Sequence, residues 1–74
     1  MAAADAKKLL GAAIRKEREG KGLSQEDFAH ECGLHRTYIG SVERGERNIS
    51  LDCTTKIAET LGLKVSELFS KAGL

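Results

Sequence analysis

The chain has 74 residues, a formal net charge of +1, eight glycines, no proline and three aromatic side chains, Phe28, Tyr38 and Phe69. That length allows one domain near the lower limit for an unaided core, and it favours a helical bundle over a sheet with many turns. No apolar run is long enough to span a bilayer, and no signal-peptide h-region is present, so a cytoplasmic protein without a membrane partner is expected. Three aromatic residues are too few for the stacking platforms of single-strand binders. Cys32 and Cys53 both fall on apolar stripes and read as reduced core residues. With His30 and His35 they match no zinc-ligand spacing, so neither a metal nor another cofactor is expected. The same four side chains form no nucleophile–base arrangement, and a domain this small leaves little space for a pocket, so no small-molecule ligand is expected. An enzyme is not expected.

In chain order, residues 1–6 read as a disordered tail, and residues 7–74 as a single domain. A first helix is predicted from about Lys7 to Glu19, with Leu10, Ala13 and Ile14 on one face, stopped by Gly20 and Gly22. Arg18 continues the Leu10–Ile14 line and so points inward. It reads either as a solvated charge suiting the helix C-terminus or as an inward arginine paired with an acid, Glu43 being the candidate.

Ser24 to Asn48 reads as two short helices joined by a tight turn. Ser24 is an N-cap, with Asp27 three residues on. Phe28, Ala29 and Cys32 supply an apolar stripe, and Gly33 suits the left-handed residue that ends a helix. His35 is placed to cap the second helix. Its inward face would hold Tyr38 or Ile39, and Val42. Its outward face would hold Thr37, Gly40 or Ser41, and Arg44. A helix that is polar and small on one side, held rigidly against its predecessor, suits a DNA major groove. Charge agrees: residues 1–34 and 49–74 are each neutral, so the surplus falls on residues 35–48, where Arg36, Arg44 and Arg47 stand beside Glu43 and Glu46.

Gly45 then allows a sharp turn, and Glu46-Arg47-Asn48 forms a polar loop. A fourth helix starts with Ser50 as N-cap, repeats Thr54, Ile57, Ala58 and Leu61 at helical spacing, and closes at Gly62. A fifth, from about Val65 to Lys71, carries Val65, Leu68 and Phe69 on one side. So short a helix needs packing, either on the core or on a second chain. The expected fold is all-α, a compact five-helix bundle containing a helix-turn-helix.

Leu23-Ser24-Gln25-Glu26, Ala29, Gly33-Leu34, Ile39 and Glu43-Arg44-Gly45 together resemble the phage-repressor-like (Xre/Cro) helix-turn-helix family, with its lambda-repressor-like DNA-binding domain. His35-Arg36-Thr37-Tyr38-Ile39, Val42-Glu43-Arg44-Gly45 and Arg47-Asn48-Ile49-Ser50-Leu51 are more narrowly similar to controller proteins of restriction-modification systems. Phe28, where Leu is commoner, and Lys64, where a capping Ser or Asp is usual, depart from the pattern. The resemblance implies an internal Arg18–Glu43 salt bridge and an arginine at position 47 that reaches DNA.

On this reading Arg36, Thr37 and Ser41 are candidate base contacts, because arginine pairs with guanine edges and threonine offers a hydroxyl and a methyl. Gln25, Tyr38, Arg44 and Asn48 are candidate phosphate contacts, with a plain core aromatic as the other reading of Tyr38. Arg47 is a DNA contact of unassigned class. One module reads few bases, so a homodimer on a pseudo-palindrome is expected, with Leu63, Val65, Leu68 and Phe69 as candidate interface residues or, alternatively, as completion of the monomer core. The expected function is a transcription regulator that binds double-stranded DNA, with RNA polymerase as a further candidate partner. An antitoxin-like or adaptor protein is the alternative, and it would need more chain than remains after Phe69 to wrap a partner.

Overall fold

The computed structural model describes residues 2–74. Among these the chain forms five α-helices and no strand: α1 (Ala3–Gly20), α2 (Gln25–Cys32), α3 (Arg36–Glu43), α4 (Leu51–Thr60) and α5 (Val65–Lys71). The first helix corrects the expected tail. Alanine is the strongest helix former, and Asp5 in the first turn opposes the helix dipole favourably, so α1 begins at Ala3 and takes in most of residues 1–6. Met1 lies outside the described residues.

The helix ends are set by local chemistry. Ser24 Oγ accepts from the Asp27 amide at 3.0 Å, His35 Nδ1 from the Thr37 amide at 3.2 Å, and Ser50 Oγ from the Cys53 amide at 3.1 Å. Lysine has no acceptor, so at α5 only the reciprocal contact forms, the Lys64 amide donating to Glu67 Oε1 at 2.8 Å. Gly33 takes φ +71°, which lets the Leu34 amide reach back to the Ala29 carbonyl at 2.9 Å and turns the chain from α2 into α3.

The core is one cluster with contributions from all five helices. Phe28, Ile14, Ile39, Ile57 and Leu68 are its largest fully buried side chains. α3 packs against both α1 and α2, and α5 closes the bundle against α1 and α4. Leu68 is 0% exposed in the single chain, which removes it from the expected dimer interface. A seven-residue helix has one apolar stripe narrow enough to be spent entirely on its own core. Leu63 and Val65 are half-buried against that core, whereas Phe69 is 37% exposed.

The α1–α3 contact depends on a residue that no motif marks. A Cβ on Gly11 would collide with the Val42 carbonyl and stand 2.7 Å from the Glu43 carbonyl oxygen, both of them backbone that cannot step aside. Gly20, in the same helix, has nothing within 4 Å of its Cβ position. Gly11→Ala is therefore expected to destabilise by about 1–3 kcal/mol, as overpacking does. Gly20→Ala should be neutral or stabilise by up to about 1 kcal/mol, through helix propensity alone. Chemical denaturation of the two variants, monitored by circular dichroism, checks the opposite signs.

Candidate nucleic-acid interface

Glu43, the last residue of α3, is the anchor of the region. Arg18 Nε donates to Glu43 Oε2 at 2.7 Å and Arg18 Nη2 to Glu43 Oε1 at 3.0 Å, a bidentate pair whose side chains are 8% and 2% exposed. Arg18 Nη1 donates to the Leu23 carbonyl at 2.8 Å, and Gln25 Nε2 donates to Glu43 Oε1 at 3.0 Å. Every strong group in this buried network has a partner, as burial of charge demands. Hydrogen bonds to Glu43 hold the Arg18 guanidinium above its ordinary value, so it stays charged at any working pH. The structure thus brings Arg18 and Glu43 together, and it adds Gln25, which ties the start of α2 to the end of α3.

The first turn of α3 is the exposed part. Arg36 and Thr37 both point to solvent, and among the described residues Arg36 has no ion-pair partner. The helix then sinks into the bundle: Ile39, Gly40, Ser41, Val42 and Glu43 are all buried. Ser41 is 8% exposed, and its hydroxyl donates to the Tyr38 carbonyl at 2.8 Å while accepting from Arg47 Nε at 3.2 Å. That placement corrects the expectation that Ser41 reaches a base edge. The loop after Gly45 returns Arg47 across it, and the hydroxyl is spent inside the protein.

Gln25 is half-buried, and one amide hydrogen is committed to Glu43. Its side-chain amide and the Arg44 guanidinium converge over Gly40. The Cβ position of Gly40 lies 3.2 Å from Arg44 Nη1 and 3.6 Å from Gln25 Oε1. Arg44 Nε also donates to Glu46 Oε2 at 3.0 Å in an exposed pair, and Asn48 is exposed. Tyr38 is half-buried, with the Arg47 guanidinium carbon 5.2 Å from its ring centroid. Burial first, and a hydrogen bond with Cys53 second, push the Tyr38 phenol above its ordinary value, so it is neutral at physiological pH. Hydrogen bonds with Ser50 and Tyr38 draw the half-buried Cys53 thiol below its ordinary value, whereas burial raises that of Cys32.

A shallow groove on the outer side of α2 is lined by Leu23, Glu26, Asp27, His30 and Glu31. Its carboxylates have the wrong sign for phosphate, so the surface is polarised between an acidic α2 flank and a basic α3 edge. Among the described residues no three His, Cys, Asp or Glu side chains converge as a metal site would require, and no helix is long and apolar enough to cross a membrane.

Two helices held at a fixed angle across a left-handed glycine, the second with an exposed polar first turn, define a helix-turn-helix domain. The helix-turn-helix family model matches residues 14–68, and the chain belongs to that family. Within it the chain groups with control proteins. It is 46% identical over 70 residues to control protein C.SmaI of Serratia marcescens, covering 95% of this chain and 83% of that protein. It is 49% identical over 61 residues to control protein C.BamHI of Bacillus amyloliquefaciens, covering 81% and 75%. The crystal structure of the restriction-modification controller protein C.AhdI from Aeromonas hydrophila superposes with a TM-score of 0.81 at 48% identity, covering 88% of this chain and 97% of that one.

The buried network generates a stability prediction. Glu43→Ala strands the Arg18 guanidinium in the core and is expected to cost about 3–5 kcal/mol. Gln25→Ala leaves Glu43 with both arginine hydrogen bonds and should cost about 1 kcal/mol. Urea titration of the two variants distinguishes them, and equal losses would mean that the arginine is not the essential partner.

Proposed function

We propose that this chain is a sequence-specific transcription regulator that binds double-stranded DNA as a homodimer and acts in the cytoplasm as a restriction-modification controller. The observation that carries the reading is the exposed first turn of α3, Arg36 and Thr37, presented by a helix whose far end is locked through Glu43 to Arg18 and Gln25. The kinship with control proteins supports the restriction-modification part of that reading. Arg36 reads a guanine edge, and Thr37 a thymine methyl or an acceptor. The free N–H groups at the start of α2, the second amide hydrogen of Gln25, Arg44 and Asn48 hold phosphates on either side. Two copies place their α3 helices about one helical turn, roughly 10 base pairs, apart.

Selection from a randomised duplex pool identifies the operator. Arg36→Ala should then cost about 1–3 kcal/mol per half-site on that operator and little on a scrambled duplex. Arg44→Ala should weaken both alike and lower the salt slope by about one for each phosphate no longer neutralised. Equal losses for Arg36→Ala on the two duplexes would remove α3 as the reading helix.

Dimerisation through the C-terminal third uses Leu63, Val65 and Phe69, which retain apolar surface after the monomer core is complete. Leu51, 73% exposed at the first position of α4, is a further large apolar side chain open to a partner. Because Phe69 is not a core residue, Phe69→Ser should leave the circular dichroism spectrum intact while weakening self-association about tenfold or more, a size ordinary for a central interface aromatic. Sedimentation velocity across a concentration series checks this. A monomer at every concentration in the unaltered protein, with and without DNA, would refute the dimer.

A further inference from the structure

Arg47 is a cation of the basic edge that the fold holds against α3 by both an aromatic ring and a hydroxyl. After the sharp turn at Gly45 its side chain returns across the helix, with the guanidinium carbon 5.2 Å from the Tyr38 ring centroid and Nε donating to Ser41 Oγ at 3.2 Å. The Ser41 hydroxyl has a single proton, and that proton goes to the Tyr38 carbonyl at 2.8 Å. Only its lone pairs remain to offer, and these suit a guanidinium N–H. The Tyr38 ring is itself half-buried and packed against the core. With Nε engaged and the guanidinium carbon over the Tyr38 ring, the Nη1 and Nη2 groups carry no protein hydrogen bond among the described residues, on an exposed side chain.

We propose that Tyr38 and Ser41 are positioning residues that act on DNA through Arg47, the ring and the hydroxyl together forming a cradle that presents the two Nη groups to the nucleic acid. This rests on the DNA-binding reading above. It assigns Ser41 a role that its burial permits, where direct contact with a base is not open to it. The chemistry is that of a cation on an aromatic face with one directional hydrogen bond fixing its rotation. A guanidinium held in place before binding has less rotamer freedom left to lose, an effect of about two- to tenfold in affinity for one long side chain.

The test is a pair of double-mutant cycles read by titration of a labelled mixed-sequence duplex at low salt. Tyr38→Leu and Ser41→Ala should each weaken binding about two- to tenfold when Arg47 is present. In the Arg47→Ala background each should cost about twofold or less, because there is no guanidinium left to position. Tyr38→Phe keeps the ring and should retain near-normal affinity. Thermal unfolding identifies any variant that is not folded, and the Ser41→Ala cycle then stands by itself, since it removes one oxygen. The cradle is overturned if Tyr38→Leu or Ser41→Ala costs as much without Arg47 as with it. It is also overturned if Tyr38→Phe is as damaging as Tyr38→Leu, since the hydroxyl would then be touching DNA directly. A second readout needs no DNA: the Arg47 Nε–H resonance should be displaced by the ring current, keep that displacement in Tyr38→Phe and lose it in Tyr38→Leu. An undisplaced resonance in the unaltered protein refutes the stacking. If the unaltered protein fails to bind any duplex, the functional reading falls, and the Arg47 resonance still decides the cradle.

Discussion

The buried pair between Arg18 and Glu43 is the constraint on which the rest of the molecule depends. Two ions removed from water in so small a domain are a liability unless every lone pair and proton is met. Here the guanidinium meets both carboxylate oxygens and the Leu23 carbonyl, and the carboxylate also meets the Gln25 amide. Three separate pieces of chain are thereby fixed by one cluster: the end of α1, the turn leading into α2, and the end of α3. An apolar contact at the same place would stabilise as well or better, but it would not specify one rotation of α3 about its axis. A bidentate arginine does, because its fork accepts a carboxylate in one plane. Rotation of α3 decides which residues face outward, so the ion pair orients this helix as well as anchoring it.

Eight residues of helix cannot persist by propensity, and α3 is held by close approach as well. Gly11 lets the α1 backbone meet the Val42 and Glu43 carbonyls directly, with no side chain between. Gly40 does the reverse on the outer side, leaving space into which Gln25 and Arg44 lean together. The two glycines act on opposite flanks of one helix: the first brings it close to the core, and the second leaves room for the Gln25 and Arg44 side chains. His35 completes the arrangement by satisfying the Thr37 amide, so that the first turn, where Arg36 and Thr37 stand, is ordered to its start.

Much of this was legible in the residues. Four of the five helices follow from apolar spacing and from serines or glycines at their ends, because amphipathic periodicity and capping are local properties. The inward direction of Arg18 was visible from its register with Leu10 and Ile14. What spacing could not supply was depth. Ser41 lies one turn beyond Thr37 and by register shares its face, yet α3 is tilted into the bundle, and its outward side is covered from its middle onward. Leu68 has the same pattern as an interface residue and as a core residue, and only the packing of α5 on α1 and α4 separates them. The early start of α1 came from an alanine-rich stretch with no large apolar side chain, so periodicity gave no sign of it. Gly11 did carry a signal, an isolated glycine beside the apolar stripe of a helix, which usually marks a close approach; its partner could not be named without the fold.

The charge arrangement explains how a nearly neutral protein can be a DNA reader. Non-specific binding is mainly counterion release, and its strength follows the number of cations that face the phosphates. This chain keeps that number small. Arg18 is consumed internally, Arg44 shares Glu46, and the outer side of α2 is acidic. The Arg44–Glu46 pair is exposed on both sides, and such pairs contribute between about 0 and 1 kcal/mol, so exchanging Glu46 for a phosphate is nearly free. Arg36, by contrast, points to solvent and has no ion-pair partner among the described residues. On the proposed reading, two copies related by a twofold axis would make each directed contact twice, which suits a domain with a formal charge of +1 better than a broad basic face would.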